Sequence, residues 1–336
     1  MPGREWSYWT RNKLEILTEY LPVFTGAASK KASERIYLDL MAGQPKNRER
    51  HTGVEFDGSP VVALTVNPPF SRLRFCELGN RADQLAAYLK DQFPGDDRYK
   101  VVSGDCNITI DAILHELAAV RWAPTFAFVD QQAAEVHWRT LTKLASFRKN
   151  AKGWKTEIWI LMSPTMILKG VRGTNNAAFQ ARVDRLYGNT DWRRIQRAFD
   201  RHVIVAREYR QQMVNLMRFQ LENDLGYAYS HRIPMQMHNK LEIYDMVFAT
   251  DHDVGDRVMQ HLYNKAAQRE PEMLRQAKLA KAEKEIERSG QPAMFDASEF
   301  VVNDANAGQV LWSPTPCWNP AEQPWWFDDS DPESRH

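Results

Sequence analysis

Short runs of consecutive apolar residues alternate, over the first half of the chain, with segments whose apolar residues recur every three or four positions. The continuous runs are IYLDL (36–40), RLRFCEL (72–78), YKVVS (99–103), TFAFVD (125–130) and EIWILM (157–162). Each is rich in β-branched or aromatic residues and too short for a helix, so five strands are predicted. The segments between them, 82–92, 110–119 and 135–149, carry the helical period. Strands that are apolar on both faces and separated by helices pair in parallel inside a two-sided sheet. The predicted class is therefore α/β, doubly wound. Ahead of the first strand, Thr10 stands where it can cap a helix carrying Leu14, Leu17 and Leu21, expected to end at Pro22.

The rhythm then changes. Residues 165–218 hold eleven Lys or Arg against four acids. Within them Trp192, Ile195, Phe199, Val203, Ala206 and Tyr209 recur at helical spacing, which predicts one long amphipathic helix. Two further apolar runs, RIPMQM (232–237) and LEIYDMVFAT (241–250), flank the polar turn His238-Asn239-Lys240 and predict an antiparallel hairpin. The sheet is expected to resume there, which makes the basic stretch an insertion. Pro271 is placed at the start of a charged helix that stops at Gly290. The last stretch, 289–336, is rich in Pro and holds eight acids, one Arg and four Trp. Acidic tails often stay unfolded, but Trp312, Trp318, Trp325 and Trp326 are costly to leave in water. The tail is expected to dock, with the basic insertion as a candidate site.

The chain has 336 residues and a net charge of +1, so no overall charge announces a nucleic-acid partner and any basic surface is local. Cys76, Cys106 and Cys317 share no close spacing, which argues against a zinc knuckle or a disulfide framework and fits a reducing cytoplasm. The start, MPGREWSYWTRNK, lacks a signal-peptide core, and no uncharged run is long enough to span a bilayer. A cytoplasmic protein without a membrane partner is expected. No His or Cys set has metal-ligand spacing.

Acids stand at the strand ends. Asp39 closes the first strand and precedes Met41-Ala42-Gly43, Glu77 closes the second, Asp105 follows the third, and Asp130 ends the fourth. Open parallel sheets bind ligands outside the carboxyl ends of their strands. A carboxylate after the second strand can accept both hydroxyls of a ribose. Gly43 allows close approach of backbone to ligand. Asp105, with Cys106 and Asn107, could read an adenine amino group. The alternative for each is an acid in a surface turn, and for Asp130-Gln131 a strand-end cap.

This layout resembles the class I S-adenosylmethionine-dependent methyltransferase fold: Rossmann-like, mostly parallel, with an antiparallel C-terminal hairpin. More narrowly, the chain resembles the three-Cys-motif partner (TcmP) family. The stretches that carry the resemblance are KLEILTEYL, YLDLMAG, GSPVVAL, FCELGN, GDCN, FVD and YDMVFATDH, spread over about residues 10–265. The resemblance implies a methyltransferase-like domain over 1–162 and 230–265, interrupted by a basic helical insertion at 163–229. A charged helix at 266–290 and an acidic Trp- and Pro-rich tail at 291–336 would follow. It implies S-adenosylmethionine as cofactor, with Asp39 and Gly43 beside the methionine part, Glu77 at the ribose and Asp105 at the adenine. Asp130 or Gln131 would orient the methyl acceptor. A three-Cys-motif protein would be the partner. Arg193, Arg194, Arg197 and Arg201 would hold phosphates of DNA or RNA.

Two departures bear on activity. The glycine turn continues Gln44-Pro45 where the family has a second Gly, and Pro45 adds bulk and lacks an N–H. The fourth strand continues Gln131-Gln132-Ala133 in place of the proline–aromatic sequence with which amino-methylating enzymes hold an extruded base. A catalytically silent scaffold of the same fold is therefore the alternative expectation. A third is a carboxylate cluster holding Mg²⁺ for phosphodiester hydrolysis.

Overall fold

The computed structural model describes residues 5–236, 242–289 and 309–327. By compactness the chain forms two units: Met1–Gly104 with Arg257–Ser313, and Asp105–Asp256 with Pro314–His336.

The first unit opens with strand β1 (Glu5–Trp6) and helix α1 (Tyr8–Ser29). Strand β2 (Ile36–Asp39) is buried throughout and leads into the hairpin of β3 (Lys46–Glu49) and β4 (Glu55–Asp57), then into α2 (Ser59–Thr65). Strand β5 (Arg72–Glu77), helix α3 (Asn80–Gln92) and strand β6 (Tyr99–Ser103) follow. Strands β2, β5 and β6 pair in parallel, with Asp39 opposite Phe75 and Glu77 opposite Ser103. Strands β1, β3 and β4 form a separate three-stranded sheet.

The second unit contains α4 (Cys106–Glu116), β7 (Thr125–Val129), α5 (Trp138–Phe147) and β8 (Glu157–Met162). Four helices occupy the basic stretch: α6 (Pro164–Val171), α7 (Asn176–Tyr187), α8 (Trp192–Asp200) and α9 (Ala206–Asn223). Strands β9 (Tyr229–Gln236) and β10 (Glu242–Thr250) complete the unit, and α10 (Asp253–Ser289) carries the chain back. The main sheet has seven strands in the order β6-β5-β2-β7-β8-β10-β9. Strand β7 runs parallel to β8, whereas β10 is antiparallel to both β8 and β9. The fold is thus the expected α/β class, a mostly parallel sheet closed by an antiparallel hairpin. The turn His238-Asn239-Lys240 and Gly290 lie outside the described residues.

Three expectations are corrected. Helix α1 does not stop at Pro22 but runs on to Ser29. A proline costs a helix one hydrogen bond, yet the apolar face continues past it through Thr25 and Ala28, both buried. The predicted single helix across 192–209 is two helices, α8 and α9. His202 takes a left-handed conformation (φ 58°), and Val203 N–H bonds Ala198 O (2.9 Å) while His202 N–H bonds Phe199 O (3.0 Å). That pair of bonds is a Schellman stop, and the helical spacing across it is fortuitous: Val203 is exposed. The charged helix, finally, starts at Asp253 and has Pro271 in its interior. Its hold on α1 is long-range. Tyr8, Met273 and Ala277 share a core cluster, Asn12 donates to Ala266 O (3.2 Å), and Arg269 pairs with Glu19 (2.5 Å).

Candidate functional site

In the first unit the ends of β2 and β5 are tied together through Glu77. Its Oε2 accepts the N–H of Gly43 (2.8 Å) and its Oε1 the N–H of Leu78 (2.8 Å), while Arg81 pairs with Oε1 at 3.0 Å. A second tie runs beside it, from Ala42 N–H to Cys76 O (2.9 Å). The Glu77 carboxylate is buried, and such a group is tolerated because charge-assisted donors replace water. Asp39 is wholly buried and accepts the Tyr37 hydroxyl (3.3 Å) and the Met41 N–H (3.4 Å).

Two glycines shape the turns that these acids brace. Gly43 (φ +65°) follows β2, and Gly79 (φ +51°) follows β5. A Cβ placed on either would meet no atom within 4 Å, so both turns border open space. The sequence reading singled out Gly43 and missed Gly79, although the Glu-Leu-Gly-Asn sequence offered the signal. Leu78, between Glu77 and Gly79, is 53% exposed, an apolar side chain at the surface next to this turn. Pro45 closes the turn in another way. Its carbonyl accepts Gly58 N–H (2.8 Å), and any side chain at Gly58 would collide with Gln44 O, 1.9 Å from the added carbon. Residues 44–58 thus form a hairpin, and helix α2 begins only after it. A cavity of about 380 Å³ elsewhere in this unit lies against α1, between Arg11, Glu15, Phe56 and Val66, and none of Asp39, Gly43 or Glu77 lines it.

In the second unit Asp105 is the N-cap of α4: its Oδ1 accepts both the backbone and the side-chain N–H of Asn107 (2.8 Å each). Asn107 in turn donates to Glu135 O (2.8 Å) and accepts from His137 N–H (2.8 Å) and the Thr140 hydroxyl (2.9 Å). Asp130 is half-buried just past β7. Gln131 is 1% exposed and fully used. Its amide donates to Leu161 O (3.0 Å) and faces Met162 Sδ (3.9 Å), while its carbonyl accepts Glu135 N–H (3.0 Å) and Val136 N–H (3.1 Å). A side-chain amide has no capacity beyond these contacts. Gln131 therefore fixes the loop after β7.

The basic stretch is less uniform than its charge suggests. Arg193 is held in a two-pronged pair with Asp184 (3.1 and 2.7 Å), which also accepts the Trp192 indole N–H (2.9 Å). Arg182 pairs with Glu135 (3.3 Å), and Arg172 with Asp200. Arg218 is 1% exposed: it donates to Ser230 O and to Thr315 O, both at 2.8 Å. Arg194, Arg197 and Arg201 share a cavity with the tail. Of the four arginines expected at phosphates, Arg193 is paired with Asp184 and Arg194 with Asp191 (3.5 Å), and Arg194, Arg197 and Arg201 line one cavity.

Residues 315–327 of the tail pack on this stretch, where the tail was expected to dock. Asn215 donates to Trp318 O (2.8 Å) and accepts Trp318 N–H (3.0 Å), and the Trp318 indole N–H reaches Gln212 (3.0 Å). Cys317 Sγ lies 3.0 Å from Glu222, and burial together with that carboxylate pushes its thiol up to about 12, so it remains protonated and unreactive. Trp312 packs edge-on against Tyr263 in the first unit, ring centroids 5.2 Å apart.

Among the described residues no helix is long and apolar enough to cross a membrane, and no group of three or more His, Cys, Asp or Glu could hold a metal ion. No family model and no curated protein matches the chain. Solved structures match it at low similarity. A candidate caffeoyl-CoA O-methyltransferase of Staphylococcus aureus is 9% identical, over 71% of this chain and 82% of that one, with a TM-score of 0.36. A Legionella pneumophila protein is 12% identical, over 75% of this chain and 90% of that one, with a TM-score of 0.38.

Proposed function

We propose that the protein is methyltransferase-like and binds S-adenosylmethionine over the turns that follow β2 and β5. The observation that carries this reading is the pair of positive-φ glycines, Gly43 and Gly79, opening on space and braced by the buried Glu77 carboxylate. Backbone without side chains admits a ligand closely, and the exposed Leu78 offers an apolar surface beside a carboxylate. Gly43 borders the methionine part, and Asp39, wholly buried, supports that turn from beneath through the Met41 N–H. A carboxylate has about four acceptor positions and the chain's own donors take three at Glu77, so the ribose is bound through the remainder. The cofactor brings an electrophilic methyl group; the protein's own part is to position it and exclude water.

Isothermal calorimetry with S-adenosylhomocysteine tests the cofactor assignment. Wild type is expected to bind, and Glu77→Gln to bind about tenfold more weakly, the loss of one charged hydrogen bond. Equal heats, or no heat from wild type, would reject it.

The second reading is a scaffold of this fold that transfers no methyl group. The saturated Gln131 and the hairpin that begins at Pro45 favour it, because both fill places where chemistry would need room. A labelled-methyl assay separates the two. In either case a three-Cys-motif protein is the proposed partner and nucleic acid the proposed ligand, serving as methyl acceptor only in the first reading.

A further inference from the structure

The loops that lead into β7 and β8, at the end of these strands away from Asp130, are stitched to each other: Lys149 N–H donates to Arg121 O (2.8 Å). The loop before β7 turns tightly, with Ala123 N–H on Val120 O (2.9 Å), and leaves Arg121 and Trp122 at the surface, the Trp122 side chain 41% exposed. The loop before β8 is built on Asn150. Its Oδ1 accepts the N–H of Lys152 (3.1 Å) and of Trp154 (3.2 Å), and its amide donates to Trp154 O (2.6 Å). Gly153, left-handed at φ +69°, closes the turn by donating to Asn150 O (3.0 Å). The Trp154 ring then carries two cations, Arg148 at 5.9 Å and Lys152 at 5.1 Å from its centroid, while His252 meets it edge-on at 4.6 Å.

These loops gather positive charge that the fold does not spend. Arg121, Lys149 and Lys152 are exposed, and none of the three is drawn into an ion pair among the described residues. Arg148 is half-buried, and its Nε is buried without a hydrogen-bond partner among the described residues. The acids whose charge reaches Arg148 are Glu157 and Asp251. Both have other donors: the Thr250 hydroxyl on Glu157 (2.8 Å), and on Asp251 the Lys155 N–H (2.7 Å) and ammonium (3.3 Å). A buried guanidinium N–H left unpaired is costly, and an anion is the partner that suits it best.

We propose that these two loops hold single-stranded nucleic acid, its phosphates on Arg121, Arg148, Lys149 and Lys152 and a base against the Trp122 ring. Phosphate oxygens match the cations, and an exposed indole stacks on a base whose face is uncovered, which a duplex does not offer. An anionic membrane would attract the same charges but needs an apolar face to insert. Among the described residues Trp122 is the one large apolar side chain exposed in either loop. The inference rests on the nucleic-acid part of the function proposed above, gives that ligand a place, and requires nothing of the cofactor part.

Fluorescence anisotropy of a labelled oligothymidylate of about eight nucleotides, with the full chain and no cofactor, tests it. The probe is expected to bind and to be displaced by unlabelled single strand, but far less by duplex, by inorganic phosphate or by phosphatidylserine vesicles at the same phosphate concentration. Arg121→Ala, Lys149→Ala and Lys152→Ala are each expected to flatten the dependence of log K on log salt by about 0.7. Lys90→Ala, at an exposed position on α3, is expected to leave it unchanged. Trp122→Ala is expected to weaken binding by about tenfold, and Trp122→Phe, which keeps a ring, to restore most of that loss. Absence of binding overturns this proposal and the nucleic-acid reading together. Binding that the loop variants leave unchanged, or that Lys90→Ala alters as much as they do, overturns the placement alone. Duplex, phosphate or vesicles displacing the probe as well as single strand does would also overturn it.

Discussion

Glu77 and Gln131 are both buried polar side chains at the carboxyl ends of strands, and they differ in how much capacity they retain. Glu77 keeps acceptor capacity after binding Gly43, Leu78 and Arg81, whereas every donor and acceptor of Gln131 is engaged. Sequence position alone cannot separate such cases, since both follow a strand and both are polar. Asp245 on β10 is a third buried polar group, and it carries a charge cost. It is 1% exposed, and removal from water pushes its carboxyl up to about 6; Arg232 and Arg218 pull it back down, and Glu242 adds to the rise. Arg232 Nε stands 2.9 Å away. Because the folded value lies above the unfolded one of 3.8, the folded state holds the proton longer. The stabilisation from that proton is complete below about pH 4 and is lost as pH rises through about 6. Asp245→Asn cannot ionise, so its urea stability is expected to gain on wild type across that window, by up to about 1.4 kcal/mol per pH unit. A gap that moves the other way would show that the pairing with Arg232 dominates.

At the scale of elements, strands were the most legible feature. The runs at 99–103 and 157–162 match β6 and β8 residue for residue; β8 is buried throughout, as a strand covered on both faces must be apolar, whereas β6 is an edge strand with Lys100 and Ser103 exposed. Helix ends were less legible, since they depend on conformation more than on composition. Pro22 and Pro271 are punctuation by rule, yet both lie inside helices held by buried faces. The break between α8 and α9 has the opposite cause: a stop with no glycine to announce it. His202 fills the left-handed position of the Schellman turn, where a Cβ is strained. His202→Gly is therefore expected to stabilise the protein by about 0.5–1 kcal/mol in urea or thermal unfolding. If His202→Gly destabilises instead, the imidazole makes a contact that outweighs the strain.

For the whole molecule, the order of acids, glycines and strands was readable because each is local, and the α/β class followed from it. What charge counting could not supply was the use of the charges. Arg218 is one of eleven cations in the basic stretch, but its bond to Thr315 spans 97 residues of sequence and fixes the tail. Arg193 spends its charge on Asp184, nine residues away. Net charge over a stretch is therefore an upper bound on what remains for a partner. The cofactor assignment rests on a local feature, the braced glycine turns after β2 and β5. Crystals grown with S-adenosylhomocysteine test it most directly. The account predicts the nucleoside lying against the backbone of Gly43 and Gly79, with a ribose hydroxyl on the Glu77 carboxylate; a ligand bound away from these turns, or none at saturating concentration, would contradict it.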